Sequence, residues 1–282
     1  MEQLEIRLLG ESDIPAALRL KELAHWNQTE NDWRRLLSLE PDGCFCATIN
    51  GEVVATTTTT TYRPQLAWIG MVLVDPQHRQ LGIATRLMKV ALEFLLKAGI
   101  ATVKLDATAA GRSLYENLGF RGEGLIERWV GIARKRQVAC AYLNRTSLKE
   151  ALVFDRNALG ADRSELIKML VADCLVTPIV ARGIVGEVTG YALARQGSAA
   201  VYVGPLLAEG TSDATTLLDG LLSQVSGQNV YIDLNTNFEG GRKILRERGF
   251  VKQRDLIRMS YGQESSAASS PSIFAIAGPE VG

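Results

Sequence analysis

The sequence has little of what metal or redox chemistry requires. Its 282 residues include four cysteines and two histidines. The cysteines show no CxxC or metal-ligand spacing, and they are Cys44, Cys46, Cys140 and Cys174. Because a structural zinc ion usually takes four cysteine or histidine ligands, we expect no metal site. The thiols are expected to be reduced and mostly buried, as in a cytoplasmic protein.

The chain also lacks a charge excess and long apolar runs. Lys and Arg together number 31, and Asp and Glu together also number 31, so the formal net charge is zero. This balance suggests neither a nucleic acid nor a membrane surface as a partner. The opening MEQLEIRLLGESD has early acids and no apolar core, so we expect no secretory signal. No apolar run approaches the length of a membrane span, and we expect a cytoplasmic location.

A repeated pattern is present instead. The segments SLYENLGF (113–120) and KILRERGF (243–250) each predict a short helix running into Gly-Phe, and they lie 130 residues apart. The segments ATRLM (84–88) and ATTLL (214–218) show the same offset. Two landmarks at one offset indicate an internal duplication. The length is comfortable for two domains, and we predict domains 1–144 and 145–282 with a seam near 144–161.

Hydrophobic periodicity predicts alternating strands and helices in both copies. In the first copy, Asn50-Gly51 is typical of a type I′ hairpin, 66–74 of a strand, and 83–98 of a long amphipathic helix. The second copy repeats this order, and 272–278 is predicted to return to the sheet as a last strand. The predicted fold class is therefore α/β, in the α+β sense. Each domain is expected to be a mixed, mostly antiparallel twisted sheet flanked by helices.

One segment of the first copy has a pattern suited to anion binding. In MVLVDPQHRQLGIATRLM (71–88), a Val-rich strand leads through a loop into the long helix. Gly82 and Ala84 leave the loop backbone uncovered, so that a ligand can approach closely. The first N–H groups of a helix have no internal partner and lie at the positive end of its dipole. Such a loop suits a pyrophosphate, the alternative being an ordinary strand-to-helix connection.

These motifs resemble those of the GCN5-related N-acetyltransferase (GNAT) superfamily. RQLGIA (79–84) matches the family's R/Q-x-x-G-x-G/A signature, and SLYENLGF matches its later LYE-x-x-GF segment. The second half, with GYALAR, VGPLLA and IFAIAGPEVG, resembles a C-terminal GNAT-like domain of bacterial acetyltransferases. The chain is thus similar to a tandem-GNAT acetyltransferase whose second domain is degenerate.

The resemblance implies acetyl-CoA as co-substrate and a residue-by-residue site. Val72, Leu73 and Val74 would form the splayed strand that pairs with pantetheine. The pyrophosphate would be held by the loop and first helical turn, comprising Arg79, Gln80, Leu81, Gly82, Ile83, Ala84 and Thr85. Tyr115 would protonate the leaving thiolate, the alternative being a core tyrosine. The family often carries an Asn about two turns before this Tyr, and the segment 106–111 (DATAAG) departs from that pattern.

The residues that contact the acceptor are less clearly indicated. The segment between the first two helices includes Trp26, Asn27, Gln28 and Thr29. In this fold it borders the acceptor pocket, although loop packing and helix capping by Thr29 would explain it equally well. Asp106 and Asp233 end equivalent strands, where an acid often faces a cleft. The alternative is that each caps the next helix.

The second copy differs at the positions that matter for the chemistry. Aligned on ATRLM and ATTLL, Arg79 corresponds to Glu209, Gly82 to Ser212 and Ile83 to Asp213. The two acids would repel a pyrophosphate, and Leu245 replaces Tyr115. We therefore expect an N-acetyltransferase whose first half is catalytic and acts on a primary amine of a small molecule or a protein. The second half would serve acceptor recognition or homodimer formation, and the rival function is a non-catalytic CoA-binding regulatory module.

Overall fold

A computed structural model describes residues 4–263 and 270–282 of the chain. The strands are β1 Leu4–Leu8, β2 Phe45–Ile49, β3 Glu52–Tyr62, β4 Leu66–Val74, β5 Thr102–Ala107, β6 Arg121–Ile132, β7 Ala141–Tyr142, β8 Ile179–Arg182, β9 Val188–Arg195, β10 Val201–Ala208, β11 Asn229–Asn235, β12 Val251–Gly262 and β13 Ile273–Ala275. The helices are α1 Ile14–Leu23, α2 Glu30–Leu39, α3 Ile83–Lys97, α4 Arg112–Asn117, α5 Arg145–Leu159, α6 Ser164–Ala172, α7 Thr211–Gln224 and α8 Gly241–Glu247. Most of the predicted seam, 144–161, is helix α5, and the irregular segment 133–140 precedes it. The segment 263–272 is rich in Ser and Ala, which is typical of a flexible loop or insertion, and residues 264–269 of it lie outside the described residues.

Local sequence signals account for several element boundaries. Asn50 and Gly51, which connect β2 to β3, have φ values of 52° and 84°, as a type I′ turn requires. Thr29 precedes α2 and forms a capping box with Asp32, whose carboxylate accepts the Thr29 backbone N–H at 2.7 Å. The predicted hairpin and capped helix are both confirmed. The last strand, β13, is confirmed as well.

Within the described residues, thirteen strands form one continuous sheet, in the order β1-β2-β3-β4-β5-β12-β6-β11-β13-β10-β9-β8-β7. Among the strands of the described ranges, only the β4–β5 and β10–β11 pairs are parallel, so the predicted mixed, mostly antiparallel class is confirmed. The two halves exchange their long last strands. β12, from the second half, pairs with both β5 and β6, and β6 pairs with β11. The division at 144/145 remains a prediction, and the exchange means that each half completes the sheet of the other.

Matching ion pairs accompany this exchange. Arg258 on β12 donates two hydrogen bonds of 2.9 Å to Asp106 on β5. Arg128 on β6 donates bonds of 2.8 and 2.5 Å to Asp233 on β11. All four side chains are at least 96% buried, with exposures of 4% or less. Each half therefore supplies an arginine that neutralises the strand-end aspartate of the other.

The parallel pairs open into two notches of different kinds. β4 and β5 pair only at 66–68 with 102–104, and their later residues diverge. β10 and β11 pair at 201–203 with 230–232 and then diverge as well. In this second notch β13 pairs with Leu206 and Leu207 of β10 and with Leu234 of β11. We call the opening between β4 and β5 the first notch and the one that β13 fills the second notch.

Candidate functional site

A cavity of about 560 Å³ occupies the first notch. One wall comes from the first half and includes residues 69–74 of β4, Leu105 and Asp106 of β5, and Tyr115 of α4. The opposite wall comes from the last strands and the chain end, and it includes Arg128, Arg254, Leu256, Pro279 and Glu280. The cavity is therefore built by both halves of the molecule.

A β-bulge shapes the floor of this cavity. The register of β3 on β4 shifts between Thr56, opposite Leu73, and Thr58, opposite Gly70. Met71, within the bulge, has a φ of 49°, and its carbonyl accepts a hydrogen bond of 2.8 Å from the Thr56 hydroxyl. Bulges of this kind re-aim a strand and interrupt its pairing. Val72 also lies in the bulge, and Leu73 and Val74 follow it. All three line the cavity, so the predicted splayed segment lies at the first notch.

The glycine-containing loop lies at the end of the same strand. Gln80 and Gly82 have φ values of 65° and 74°, and a Cβ built on Gly82 would meet no atom within 4 Å. Arg86 donates the first helical hydrogen bond of α3 to Gly82, which leaves the preceding N–H groups outside the helical ladder. The loop lines a smaller cavity of about 220 Å³, bordered by Val74, His78, Arg79, Gln80, Gly82, Ile83, Ala84 and Thr85.

Three residues of the loop and first helical turn differ in their relation to these two cavities. Arg79 and Ala84 line both cavities, which makes the loop continuous with the first notch. The Arg79 Nε donates to the Val74 carbonyl at 3.3 Å, so the side chain is anchored to the end of β4. Leu81 is 63% exposed and belongs to neither lining.

Tyr115 lies on α4 beside the first notch. Its ring packs edge-on against Phe120, with centroids 6.1 Å apart. A Cβ on Gly111 would lie 2.9 Å from the Tyr115 ring and 3.4 Å from its hydroxyl oxygen, so glycine there makes room for the ring. Burial raises the pKa of Tyr115 well above its usual range, and the hydroxyl is therefore protonated at neutral pH.

Of the four predicted acceptor residues between the first two helices, two line the cavity and two do not. Trp26 and Gln28 line the cavity. The Asn27 side chain accepts the backbone N–H groups of Ala199 and Ala200 at 2.9 and 3.0 Å, thereby joining the first half to the second. Thr29 caps α2. Asn27 and Thr29 therefore have structural roles, as the packing and capping alternative described.

The two strand-end aspartates differ in their relation to the cavity, and neither caps the next helix. Asp106 borders the cavity, but its carboxylate is occupied by both bonds from Arg258. Asp233 has no exposed surface and is held by Arg128 and by the Tyr202 hydroxyl at 3.1 Å, so it does not line the cavity. Neither residue begins the next helix, because α4 follows Gly111 and α8 follows Gly240. Their common environment is the strand exchange.

Sequence patterns did not indicate which residues the second half contributes to the cavity. Glu280 accepts a hydrogen bond of 2.8 Å from the Gln28 amide and pairs with Arg195 at 3.1 Å. Burial raises the pKa of the Glu280 carboxyl. The chain end reaches this point because Gly70 has no side chain: a Cβ there would lie 2.6 Å from the Glu280 Cα. No local pattern marks such a contact, since Gly70 and Glu280 are far apart in sequence.

Sequence comparisons bear on both halves. Residues 13–120 match the profile of the "Acetyltransferase (GNAT) family", and residues 151–275 match that of an "Acetyltransferase (GNAT) domain". The uncharacterised N-acetyltransferase YitH of Bacillus subtilis is 25% identical over 254 residues, 88% of each chain. The [ribosomal protein bS18]-alanine N-acetyltransferase of Escherichia coli is 31% identical over 132 residues, 44% of this chain and 84% of that protein.

A solved structure extends the likeness to the whole fold. A crystal structure of an acetyltransferase from Pyrococcus horikoshii superposes with a TM-score of 0.84 at 20% identity, covering 100% of this chain and 97% of that one. The open notch, the glycine-containing loop and the two family matches define an acetyltransferase fold in tandem. The chain belongs to the GNAT family and is a tandem-GNAT acetyltransferase. None of the helices in the described ranges is long and apolar enough to cross a lipid bilayer.

Proposed function

We propose that the protein transfers an acetyl group from acetyl-CoA to a primary amine, and that the first half carries the reaction. The observation that carries this proposal is the continuity of the first notch with the loop 79–85 and with Tyr115. An open strand edge and a protonated hydroxyl border the larger cavity, and the uncovered loop borders a smaller cavity that shares Val74, Arg79 and Ala84 with it. The division of labour between domains 1–144 and 145–282 is part of the proposal.

The chain's own residues fit the co-substrate. The uncovered N–H groups before Arg86 and the guanidinium of Arg79 suit a pyrophosphate, and the open space above Gly82 lets an anion approach the backbone. Val72, Leu73 and Val74 would take the pantetheine arm along the diverging edge of β4. When bound, acetyl-CoA supplies an activated thioester carbonyl.

The reaction needs only modest help once both substrates are held together. The amine nitrogen attacks the thioester carbonyl carbon, and the carbon–sulfur bond breaks. Backbone N–H groups of the diverging strand would stabilise the oxyanion. Tyr115 would give its proton to the departing thiolate. Glu280 lines the cavity beside Gln28 and would accept the proton that the amine nitrogen loses, and burial raises the pKa of its carboxyl.

The decisive experiment measures release of free thiol from acetyl-CoA with a panel of amines, alongside calorimetry of CoA binding. We expect amine-dependent thiol release and about one CoA site per chain, because β13 fills the second notch. CoA binding without thiol release for any amine would favour the rival regulatory module. Two equivalent CoA sites would contradict the proposed asymmetry between the halves.

A further inference from the structure

The cavity wall supplied by the second half contains an arginine, Arg254, that has no counter-ion among residues 4–263 and 270–282. Arg254, on β12, lines the cavity, and its Nε is buried without a hydrogen-bond partner among the described residues. In that part of the chain no carboxylate lies within salt-bridge distance of Arg254, whereas Lys252 on the same strand pairs with Asp255 at 3.1 Å. Arg254 as a whole is partly exposed, but a buried guanidinium nitrogen without a hydrogen bond is costly unless a ligand satisfies it.

The surroundings of Arg254 increase this cost. Burial is the main cause that lowers its pKa, and the positive charge of Arg128 is the second. Asp233 is near enough to act in the opposite direction, but both its oxygens are occupied by Arg128. The cavity therefore presents a cation that no carboxylate of the described ranges pairs with.

A second unsatisfied atom lies in the same cavity and has the opposite character. The Gln28 Oε1 is buried without a hydrogen-bond partner in the described ranges, while the Gln28 Nε2 donates to Glu280. Gln28 is 8% exposed and lines the cavity. Its free oxygen can accept an N–H donor, and the Glu280 carboxylate beside it, which also pairs with Arg195, can accept a further one. Buried polar groups are normally paired, so two unsatisfied atoms of complementary character point to a ligand that satisfies both.

We propose that the acceptor amine also carries an anionic group, a carboxylate or a phosphonate-like anion, which Arg254 binds while Gln28 and Glu280 receive the amine. This inference rests on the proposed function and narrows its acceptor to zwitterionic amines. It also gives the second half a specific task, because Arg254 and Glu280 both come from it. A simple diamine would leave Arg254 unpaired and would add a second positive charge beside Arg128.

The first test compares amines that differ only in the anion. Thiol release is measured with lysine against cadaverine, with β-alanine against ethylamine, and with 2-aminoethylphosphonate. We expect kcat/KM to favour the anionic member of each pair by roughly 10- to 100-fold, as for a hydrogen bond to a charged group. The phosphonate distinguishes the two anion classes. Equal kcat/KM values within the pairs would overturn the inference and leave the proposed function intact.

The second test removes the cation. Arg254→Gln should abolish the preference by raising KM for the anionic amines, with the KM for acetyl-CoA unchanged. Arg254→Lys should restore part of it, and Lys252→Gln is the matched control on the same strand. Because Arg254 is desolvated and repelled by Arg128, we expect the melting temperature of Arg254→Gln to equal or exceed that of the wild type. A lower melting temperature with the preference retained would mean that Arg254 is only structural.

A binding measurement keeps the inference testable if no amine supports turnover. β-Alanine, in the presence of CoA, should raise the melting temperature of the wild type and not that of Arg254→Gln. Absence of turnover with this shift present would reject the proposed function and support the anion site. A shift of the same size in both proteins would reject the anion site.

Discussion

The two notches of the sheet begin in the same way and end differently. In the first half, β4 and β5 separate after Trp68 and Lys104 and enclose a cavity. In the second half, β10 and β11 separate after Val203 and Ile232, and β13 pairs with both in the gap. A strand that satisfies the backbone of a notch removes the edge that a pantetheine arm would need.

The side chains around the two notches also differ, and again only the first notch is suited to a ligand. Tyr115 borders the first notch, whereas its counterpart Leu245 is fully buried in an apolar cluster with Leu217 and Leu234. Glu209 and Asp213 flank the start of α7, where an anion would meet repulsion. The comparison teaches that a duplicated fold can retain its packing landmarks while its binding surface is converted into core.

The largest expected effect concerns Tyr115, whose counterpart in the second half is Leu245. Tyr115→Phe should lower kcat by roughly 10²–10⁴-fold, because the ring still packs against Phe120 and only the acid is lost. Affinity for CoA, measured by calorimetry, should stay within about twofold, a change too small to reflect a lost hydrogen bond. Equal kcat values for the two proteins would return Tyr115 to the role of a core tyrosine.

The next prediction tests whether the exchanged ion pairs are equivalent. Asp233→Ala and Asp106→Ala should each lower the free energy of unfolding by about 3–5 kcal/mol, because each leaves a buried arginine unpaired. Denaturant unfolding measures both losses. Unequal losses of unfolding free energy would show that the two ion pairs are not equivalent. A raised acceptor KM without a stability loss in Asp233→Ala would indicate that Asp233 contacts the substrate.

A third prediction introduces negative charge into the first loop, as the second half already has. Gly82→Asp should weaken CoA binding by roughly 10- to 100-fold, because the carboxylate repels the pyrophosphate and occupies the space it needs. Gly99→Asp is the matched control, since Gly99 also has a φ of 74° and open space around its Cα. If the two variants lose similar stability but only Gly82→Asp binds CoA more weakly, the effect is local to the loop. Equal CoA affinities of the two variants would argue against a pyrophosphate site there.

The smallest expected effect is an absence of pH dependence. Since burial raises the pKa of Tyr115 above its usual range, the hydroxyl should remain protonated up to at least about pH 10, the ordinary tyrosine value. The kcat measured between pH 8 and about 10 should therefore show no alkaline decline that depends on Tyr115. A decline with a midpoint below about pH 9 in the wild type that disappears in Tyr115→Phe would contradict this.

Sequence patterns predicted the elements of both halves because those patterns are local. The alternation of strands and helices, the Asn50-Gly51 turn and the Thr29–Asp32 cap depend on residues close in the chain. The loop 79–85 was identifiable for the same reason, since its glycine, its arginine and its helix are contiguous. The family resemblance added Tyr115, which periodicity alone would assign to the core.

The long-range features were not predictable from such patterns. Insertion of β12 between β5 and β6 depends on pairing between residues more than 100 positions apart, such as Arg258 with Asp106. The presence of Arg254 and Glu280 in the first-half cavity follows from that exchange and from the chain end packing on Gly70. Asn27 and Thr29 were grouped with Trp26 by adjacency, although successive residues of a turn face different surroundings.

The strand exchange has a consequence for how the molecule holds together. Because β6 and β12 cross between the halves, the chain resembles a swapped dimer whose two subunits are joined by the segment 133–140. A covalent tether of this kind sets an effective concentration in the millimolar range, so the association of the halves does not depend on how dilute the protein is. Exposed residues 134–137, RKRQ, offer a place to cut the tether. Once cut there, the two fragments would form an ordinary bimolecular complex, whose shared cavity and activity would disappear together on dilution.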